Sequence, residues 1–320
     1  MNFAYVTFLI KNDSYVPGAL AFAYALKKQN TKYDLLCFVS KDISEDAVKS
    51  LKVLYDKVVF TEQIEVENKR KYSRQDVKLL FNRFNALLLE DDTVAGKKYD
   101  KIIIADCDVL PIKMWDTLFE ITAPAGIINE SKLHTMEYDE NGRYIIPKNY
   151  EKTTEWKWHE IYKDYPHGTL LPKEITDRVN TDNENMGVNS GLYLLTPSVE
   201  LYKSILDDLQ NETEKKKIHN YNWPEMQYLT QKLSGSWHNI DIKYNSISGY
   251  PTLEHIYGIH FVGLKPWSFN NKSLKTFSRY PDFKLWHKTY NEMLNDYPQL
   301  LTNYKLKNLE SKIFKLQQNN

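Results

Sequence analysis

Strand-length apolar runs alternate with helix-length amphipathic runs through the first third of this 320-residue chain. Residues 4–10 read as a strand, and residues 19–28, rich in Ala and Leu, as a helix with Pro17 where its first turn begins. Residues 33–39 form a second strand. Ser44, followed by Glu45 and Asp46, caps a helix to about Leu54, and residues 57–61 a short third strand. Charged residues 62–77 read as a surface loop. Residues 79–90 carry Leu80, Phe84, Leu87 and Leu88 at helical spacing. Few topologies accept such an order. It predicts an α/β fold, a doubly wound and mostly parallel sheet with right-handed crossovers.

The next strand is the most informative stretch. Ile102, Ile103 and Ile104 make a β-branched run that reads as buried, and it ends in Asp106-Cys107-Asp108. In an open parallel sheet, ligands bind outside the carboxyl ends of strands, where these carboxylates would stand. Two like charges brought together there need a reason. A divalent cation carrying a diphosphate is one, a phosphoryl-transfer nucleophile a second, and an acidic turn a third.

Beyond this point the rhythm changes. Residues 125–129 read as a strand. Residues 130–186 are polar and irregular, with Tyr138, Tyr144, Trp156, Trp158, His159, Tyr165 and His167 scattered through them. They are either a functional excursion or a decorated surface loop. Asn189-Ser190-Gly191 opens a strand to Leu195, and Thr196-Pro197 caps a helix to about Leu209. Residues 223–233 look helical, and 240–244 and 256–262 look like strands. Residues 281–320 form two amphipathic helices with a polar tail. The implied organisation is one domain over 1–275, with 130–186 as an irregular insertion and possible acceptor region, and a helical extension over 276–320.

Composition excludes some functions. Lys+Arg and Asp+Glu both number 42, so no global field attracts nucleic acid. With 42% hydrophobic residues the chain can build a core. Two cysteines, Cys37 and Cys107, fit a reducing compartment without disulfides. The apolar start lacks a basic flank and reads as a strand, and nothing approaches the length of a membrane span. A cytoplasmic protein is expected. The weight of Lys and Asn fits an AT-rich genome, that of a low-GC microbe or of a large virus whose protein is expressed in a host cytoplasm.

His260 near a strand end is ordinarily a packed histidine, but it could add an imidazole to the paired carboxylates, which would favour Mn²⁺ over Mg²⁺. Gly263 would let backbone approach a phosphate, and Lys265 would neutralise it. Asn189 and Ser190 could bond hydroxyl groups or simply make a turn. Arg83, on an amphipathic run, would ordinarily be solvated.

The order Asn12-Asp13-x-Tyr15-x-x-Gly18-Ala19-Leu20, Asp106-x-Asp108, Asn189-Ser190-Gly191, then His260-Phe-x-Gly263-x-Lys265-Pro266-Trp267 resembles the glycogenin-like retaining glycosyltransferases over about residues 3–270. The likeness implies a single GT-A domain that uses a UDP-sugar with Mn²⁺, or Mg²⁺ in its place. Asp106, Asp108 and His260 would hold the metal. Leu9, Asn12 and Tyr15 would flank the uridine, Arg83 would lie near the donor, and Gly263 and Lys265 would contact the diphosphate. Asn189, Ser190 and Glu225 would face the donor sugar, with Glu225, Asn189 and Lys265 serving catalysis. Two departures stand out. One residue fewer separates Gly263 from Lys265 than in the usual family form. Pro224-Glu225-Met226-Gln227 places Met226 where the family has an amide, so that Gln227 serves after a one-residue shift or the sugar contact differs.

The resemblance implies retaining transfer of a hexose, glucose favoured, to a hydroxyl on a carbohydrate or protein, or on the chain's own tyrosine, with Tyr244 and Tyr250 in the corresponding region. A homodimer is left open. The same strand–Asp-x-Asp pattern also resembles haloacid-dehalogenase-like phosphatases, with Asp106 as nucleophile and Asp108 shuttling protons; that fold also needs a late acidic pair near strand ends, which Asp207-Asp208, inside an expected helix, fits poorly. A catalytically silent nucleotide-sugar-binding protein is the third alternative.

Overall fold

β1 (Phe3–Leu9) lies at the heart of a seven-stranded sheet, with β2 (Asp34–Val39) and β4 (Lys101–Ala105) parallel on either side. The computed structural model describes residues 1–69, 77–128, 165–247, 253–270, 272 and 274–318, and the backbone alone of 137–138 and 144–145. β3 (Lys57–Phe60) extends the parallel ladder beyond β2. On the other flank β9 (Val188–Leu195) runs antiparallel to both β4 and β6 (Ala125–Ile128), and β10 (His238–Asn239) closes the edge. The sheet is thus parallel in its nucleus and mixed where the longest strand inserts backwards. A hairpin pairs β7 (Glu137–Tyr138) with β8 (Tyr144–Ile145).

Strand residues alternate between two apolar layers, as the period of two requires. Tyr5 and Ile103 pack on α1 (Val16–Lys28), while Ala4, Val6, Ile102 and Ile104 face Phe81, Phe84 and Leu87 on the opposite side. α1 starts with Pro17 in its first turn, and α2 (Glu45–Leu54) is capped by Ser44, whose side chain accepts from the Ala47 N–H.

Residues 77–90 depart from expectation: they wind as a 3₁₀ helix, Val77–Glu90. Asn82 donates to the Leu79 carbonyl, Arg83 Nε to that of Leu80, and Asn85 to that of Asn82, each three residues back. Side chains thus take part in a three-per-turn hydrogen-bond pattern. α3 (Val199–Asp208) is capped by Ser198 rather than by Thr196-Pro197, because Ser198 offers its hydroxyl to the Leu201 N–H. α4 (Glu212–Asn220), unforeseen in the sequence, and α5 (Pro224–Lys232) follow. The strand expected over 240–244 is absent: Asp241 caps a short 3₁₀ turn, Ile242–Asn245, and the next strand, β11 (Ser246–Ile247), begins beyond it.

A second sheet joins β11, β12 (Gly258–His260) and β5 (Val109–Pro111). The C-terminal helices α6 (Pro281–Asp296) and α7 (Tyr304–Gln318) bury Phe283, Trp286, Tyr290, Met293, Leu306 and Ile313 in the same apolar layer as α1. Tyr24 donates to Asp296 at 2.6 Å, and Lys28 pairs with Glu292 at 2.6 Å.

Candidate functional site

At the end of β4 the chain turns sharply. The Asp106 N–H donates to the Gly191 carbonyl at 3.2 Å, and the Val109 N–H returns to the Asp106 carbonyl at 3.1 Å. β5 then pairs antiparallel with β12, with His260 opposite Val109, and the Phe261 N–H donates to the Asp108 carbonyl at 2.9 Å. This register brings the imidazole to the paired aspartates. One ligand atom from each of Asp106, Asp108 and His260 lies within 4.8 Å of the others, and His260 Nε2 is 3.4 Å from Asp108 Oδ1. Two carboxylates and an imidazole nitrogen in one such cluster fit a divalent cation of the Mn²⁺ type.

Each carboxylate already has a cation. Arg83, buried rather than solvated, pairs with Asp106 at 3.2 Å and donates to the Ser190 carbonyl. Lys265 donates to Asp108 and, at 2.7 Å, to the Phe261 carbonyl. Burial alone would raise the Asp108 carboxyl, but Lys265 and His260 together hold it well below the usual carboxylate range. Burial likewise disfavours charge on Arg83, and the carboxylates of Asp106 and Glu225 outweigh it, so its basicity rises. Cys107 points the other way: its thiol donates to the Phe8 carbonyl at 2.9 Å, and burial pushes it up to about 12. Both cysteines are free and buried.

Leu9, Asn12, Tyr15, Arg83, Asp106 and Asp108 all line one cavity of about 310 Å³. Gly263, in the left-handed region at φ +86°, and Lys265 line a neighbouring cavity of about 580 Å³ that shares Ser14 and Tyr15 with the first. Ser190, whose carbonyl accepts from Arg83, donates its hydroxyl to Glu225 Oε1 at 3.0 Å, and the neighbouring Asn189 Oδ1 accepts from the Gly191 N–H at 2.8 Å. The second Glu225 oxygen is buried and has no hydrogen-bond partner among the described residues.

Three positioning features escaped the sequence reading. Asn245 donates to Asn189 at 3.0 Å. A Cβ on Gly191 would lie 2.6 Å from the His260 ring, so only glycine lets the imidazole approach β9. A Cβ on Gly18 would lie 2.3 Å from the Cys107 carbonyl and 2.4 Å from the Trp267 ring. Gly18 and Gly191 each stand in a quoted motif, which was the available signal for two of the three; what each abuts was not readable.

Other expectations change. Gln227 does not serve after a shift: its amide donates to the Asn185 and Asn183 carbonyls and its oxygen accepts from the Trp223 N–H, so it is a buried brace for the turn before β9. Tyr244 is 7% exposed, stacks on His167 and shares a hydrogen bond with Thr117. Tyr250 and residues 146–164 lie outside the described residues, as does Asn129. Asp208, half of the late acidic pair a phosphatase would need, is bound by Tyr228 and Lys232 between α3 and α5.

No protein-family model matches the chain. The uncharacterized protein R707 of Acanthamoeba polyphaga mimivirus is 28% identical over 311 residues, 93% of this chain and 95% of its own length. Galactinol synthase 2 of Arabidopsis thaliana is 22% identical over 323 residues, covering 93% of this chain and 84% of the plant protein. Glycogenin of Neurospora crassa is 29% identical over 114 residues, 35% of this chain and 16% of the fungal one. Among solved structures, an active-site mutant of LgtC superposes with a TM-score of 0.52 at 11% identity, over 90% of this chain and 95% of that one, which establishes likeness of fold.

Proposed function

We infer that this chain, which belongs to the glycogenin-like glycosyltransferases of GT-A fold, transfers a sugar from a UDP-sugar to a hydroxyl acceptor with retention of configuration. The observation that carries this reading is the convergence of Asp106, Asp108 and His260 beside a cavity at the end of β4. These three would hold a divalent cation, Mn²⁺ in preference to Mg²⁺, whose chemistry is to stabilise the charge of departing UDP.

Leu9, Asn12 and Tyr15 flank the uridine in this reading. Gly263 leaves room for the diphosphate, and Lys265 neutralises its oxygens, the kind of electrostatic contribution that dominates such reactions. Glu225 offers its free oxygen to a hydroxyl of the donor sugar, with Asn189 and Ser190 alongside. Met226 stands where the family has an amide, so the sugar is held from fewer polar groups on that side. The donor is a hexose, glucose favoured. The acceptor hydroxyl attacks from the face the nucleotide leaves, without a covalent intermediate. It belongs to a carbohydrate or another protein in preference to Tyr244, whose hydroxyl is engaged with Thr117 and would have to leave its aromatic cluster.

No helix among the described residues is long and apolar enough to cross a membrane. Two free cysteines and the mimivirus relative support work in a reducing host cytoplasm. The direct test is a panel of UDP-sugars assayed for Mn²⁺-dependent hydrolysis. Asp106→Asn and Asp108→Asn should each abolish it. Hydrolysis unchanged in both variants overturns the assignment.

A further inference from the structure

Both aspartates of the candidate site are matched by a cation: buried Arg83 on Asp106, and partly buried Lys265 on Asp108. The two pairs differ. Arg83 is pinned: it donates also to the Ser190 and Leu80 carbonyls from within the sheet-facing segment. Lys265 has a single carbonyl partner among the described residues, Phe261 at 2.7 Å, and sits on a loop at the border of the neighbouring cavity, with its ammonium 5.9 Å from the Tyr15 ring centroid. Gly263, two residues before it, has a left-handed backbone with open space where a side chain would be, and Lys265 itself lines the neighbouring cavity, so its ammonium has a space to turn into.

We propose that Lys265 is a displaceable counter-ion, and that the site therefore takes a divalent cation together with a diphosphate and not by itself. The inference rests on the metal-dependent reading above and deepens it. A dication arriving alone must contend with an ammonium that already bonds the Asp108 carboxylate. It would also leave that ammonium without an anion in a poorly solvated place, which is costly. A dication accompanied by a doubly charged diphosphate diester adds no net charge. The diphosphate then gives the released ammonium a new partner, in a cavity that Lys265 already lines. The bond from Lys265 to Asp108 keeps that buried carboxylate paired. Metal and nucleotide must then strengthen each other's binding by one common factor.

Binding of Mn²⁺ to the full chain is measured by water-proton relaxation, with and without saturating UDP. In the wild type, UDP should tighten Mn²⁺ on the order of tenfold or more. Lys265→Met should tighten Mn²⁺ alone by about tenfold, weaken UDP, and shrink the coupling. Lys265→Arg, which keeps the charge and adds a fork that fits a carboxylate, should hold Asp108 at least as firmly and leave Mn²⁺ alone no tighter than in the wild type; it keeps the question answerable should Lys265→Met fail to fold. Mn²⁺ that binds the wild type equally well with and without UDP overturns the proposal, as does a folded Lys265→Met whose affinity for Mn²⁺ alone is unchanged. No Mn²⁺ binding in any protein, with or without UDP, overturns the metal reading and the proposal with it, whereas binding indifferent to residue 265 overturns the proposal alone.

Discussion

His260 faces Val109 across an antiparallel strand pair, and this main-chain register sets the imidazole beside Asp108. The candidate ligand cluster is therefore brought together by backbone hydrogen bonds, including that from the Phe261 N–H to the Asp108 carbonyl, before any side chain chooses a rotamer. His260 stands on a paired strand, which holds a side chain more precisely than a loop does, and the two aspartates sit in the tight turn that joins β4 to β5. Lys265 and Gly263, by contrast, lie just beyond the strand.

Gly191→Ala tests how tightly that register is drawn. The new methyl would press on the His260 ring, which is itself buried, and one of the two must give. Metal affinity should fall about 10- to 100-fold, as for other groups that orient a ligand. UDP-dependent Mn²⁺ binding, read beside a thermal melt that shows the fold intact, is the measurement. Unchanged affinity would show that His260 relaxes freely.

Glu225→Gln keeps the acceptor for Ser190 and removes the charge on the unpartnered oxygen. UDP affinity should stay within about twofold, while hydrolysis of the donor falls about 10- to 100-fold, the span expected when one hydrogen bond to a charged group is lost. Steady-state kinetics separate the two. An equal loss of UDP binding would assign Glu225 to nucleotide binding.

Asp13 ties the start of α1 to the C-terminal helix and to α2, through Lys305 at 2.6 Å and both the hydroxyl and N–H of Ser44. Partial burial disfavours its charge, but these partners prevail and its carboxyl titrates below the usual range. A carboxylate whose folded value is depressed contributes stability above its unfolded value, about pH 4, and loses it as the pH falls through the folded one. Asp13→Asn should therefore cost about 1 kcal/mol or less at neutral pH, and the gap should close on acidification below about pH 4. Urea titrations across pH check the sign; a gap that widens in acid refutes it.

Trp286 is 2% exposed and packs between Tyr290, with stacked rings at 5.2 Å, and Trp267, also at 5.2 Å. Trp286→Ala should cost about 3–5 kcal/mol from the cavity it leaves. It should also weaken UDP, because Trp267 closes the loop that carries Lys265 and donates to the Ser14 carbonyl. Denaturant unfolding and nucleotide titration read these effects. A stable variant with intact binding would show that α6 is only an appendage.

Much of the frame was legible in local chemistry. Ser44 as a cap, Pro17 in a first turn and the isoleucine run of β4 each follow from one-residue physics. Strand direction was not: nothing in residues 188–195 announces that they run antiparallel between β4 and β6, because the alternation of faces is the same either way. The helical spacing of 79–90 does not separate an α from a 3₁₀ winding, since spacings of three serve both, and the side-chain donors at Asn82, Arg83 and Asn85 are what tell them apart. The quoted motifs do meet in space, yet their grouping came from resemblance. Spacing alone could not place His260 beside Asp108, nor show that Gln227 turns away and Arg83 turns in.

Gly18 touches, through the space where its methyl would be, both the carbonyl between the two aspartates and the indole that follows Lys265. One missing carbon on α1 thus gauges the distance between the two jaws of the cleft. A chain of this kind can drift across its outer surface while the gap stays the same, whereas the smallest enlargement at this position would wedge the jaws apart with every ligand atom still present.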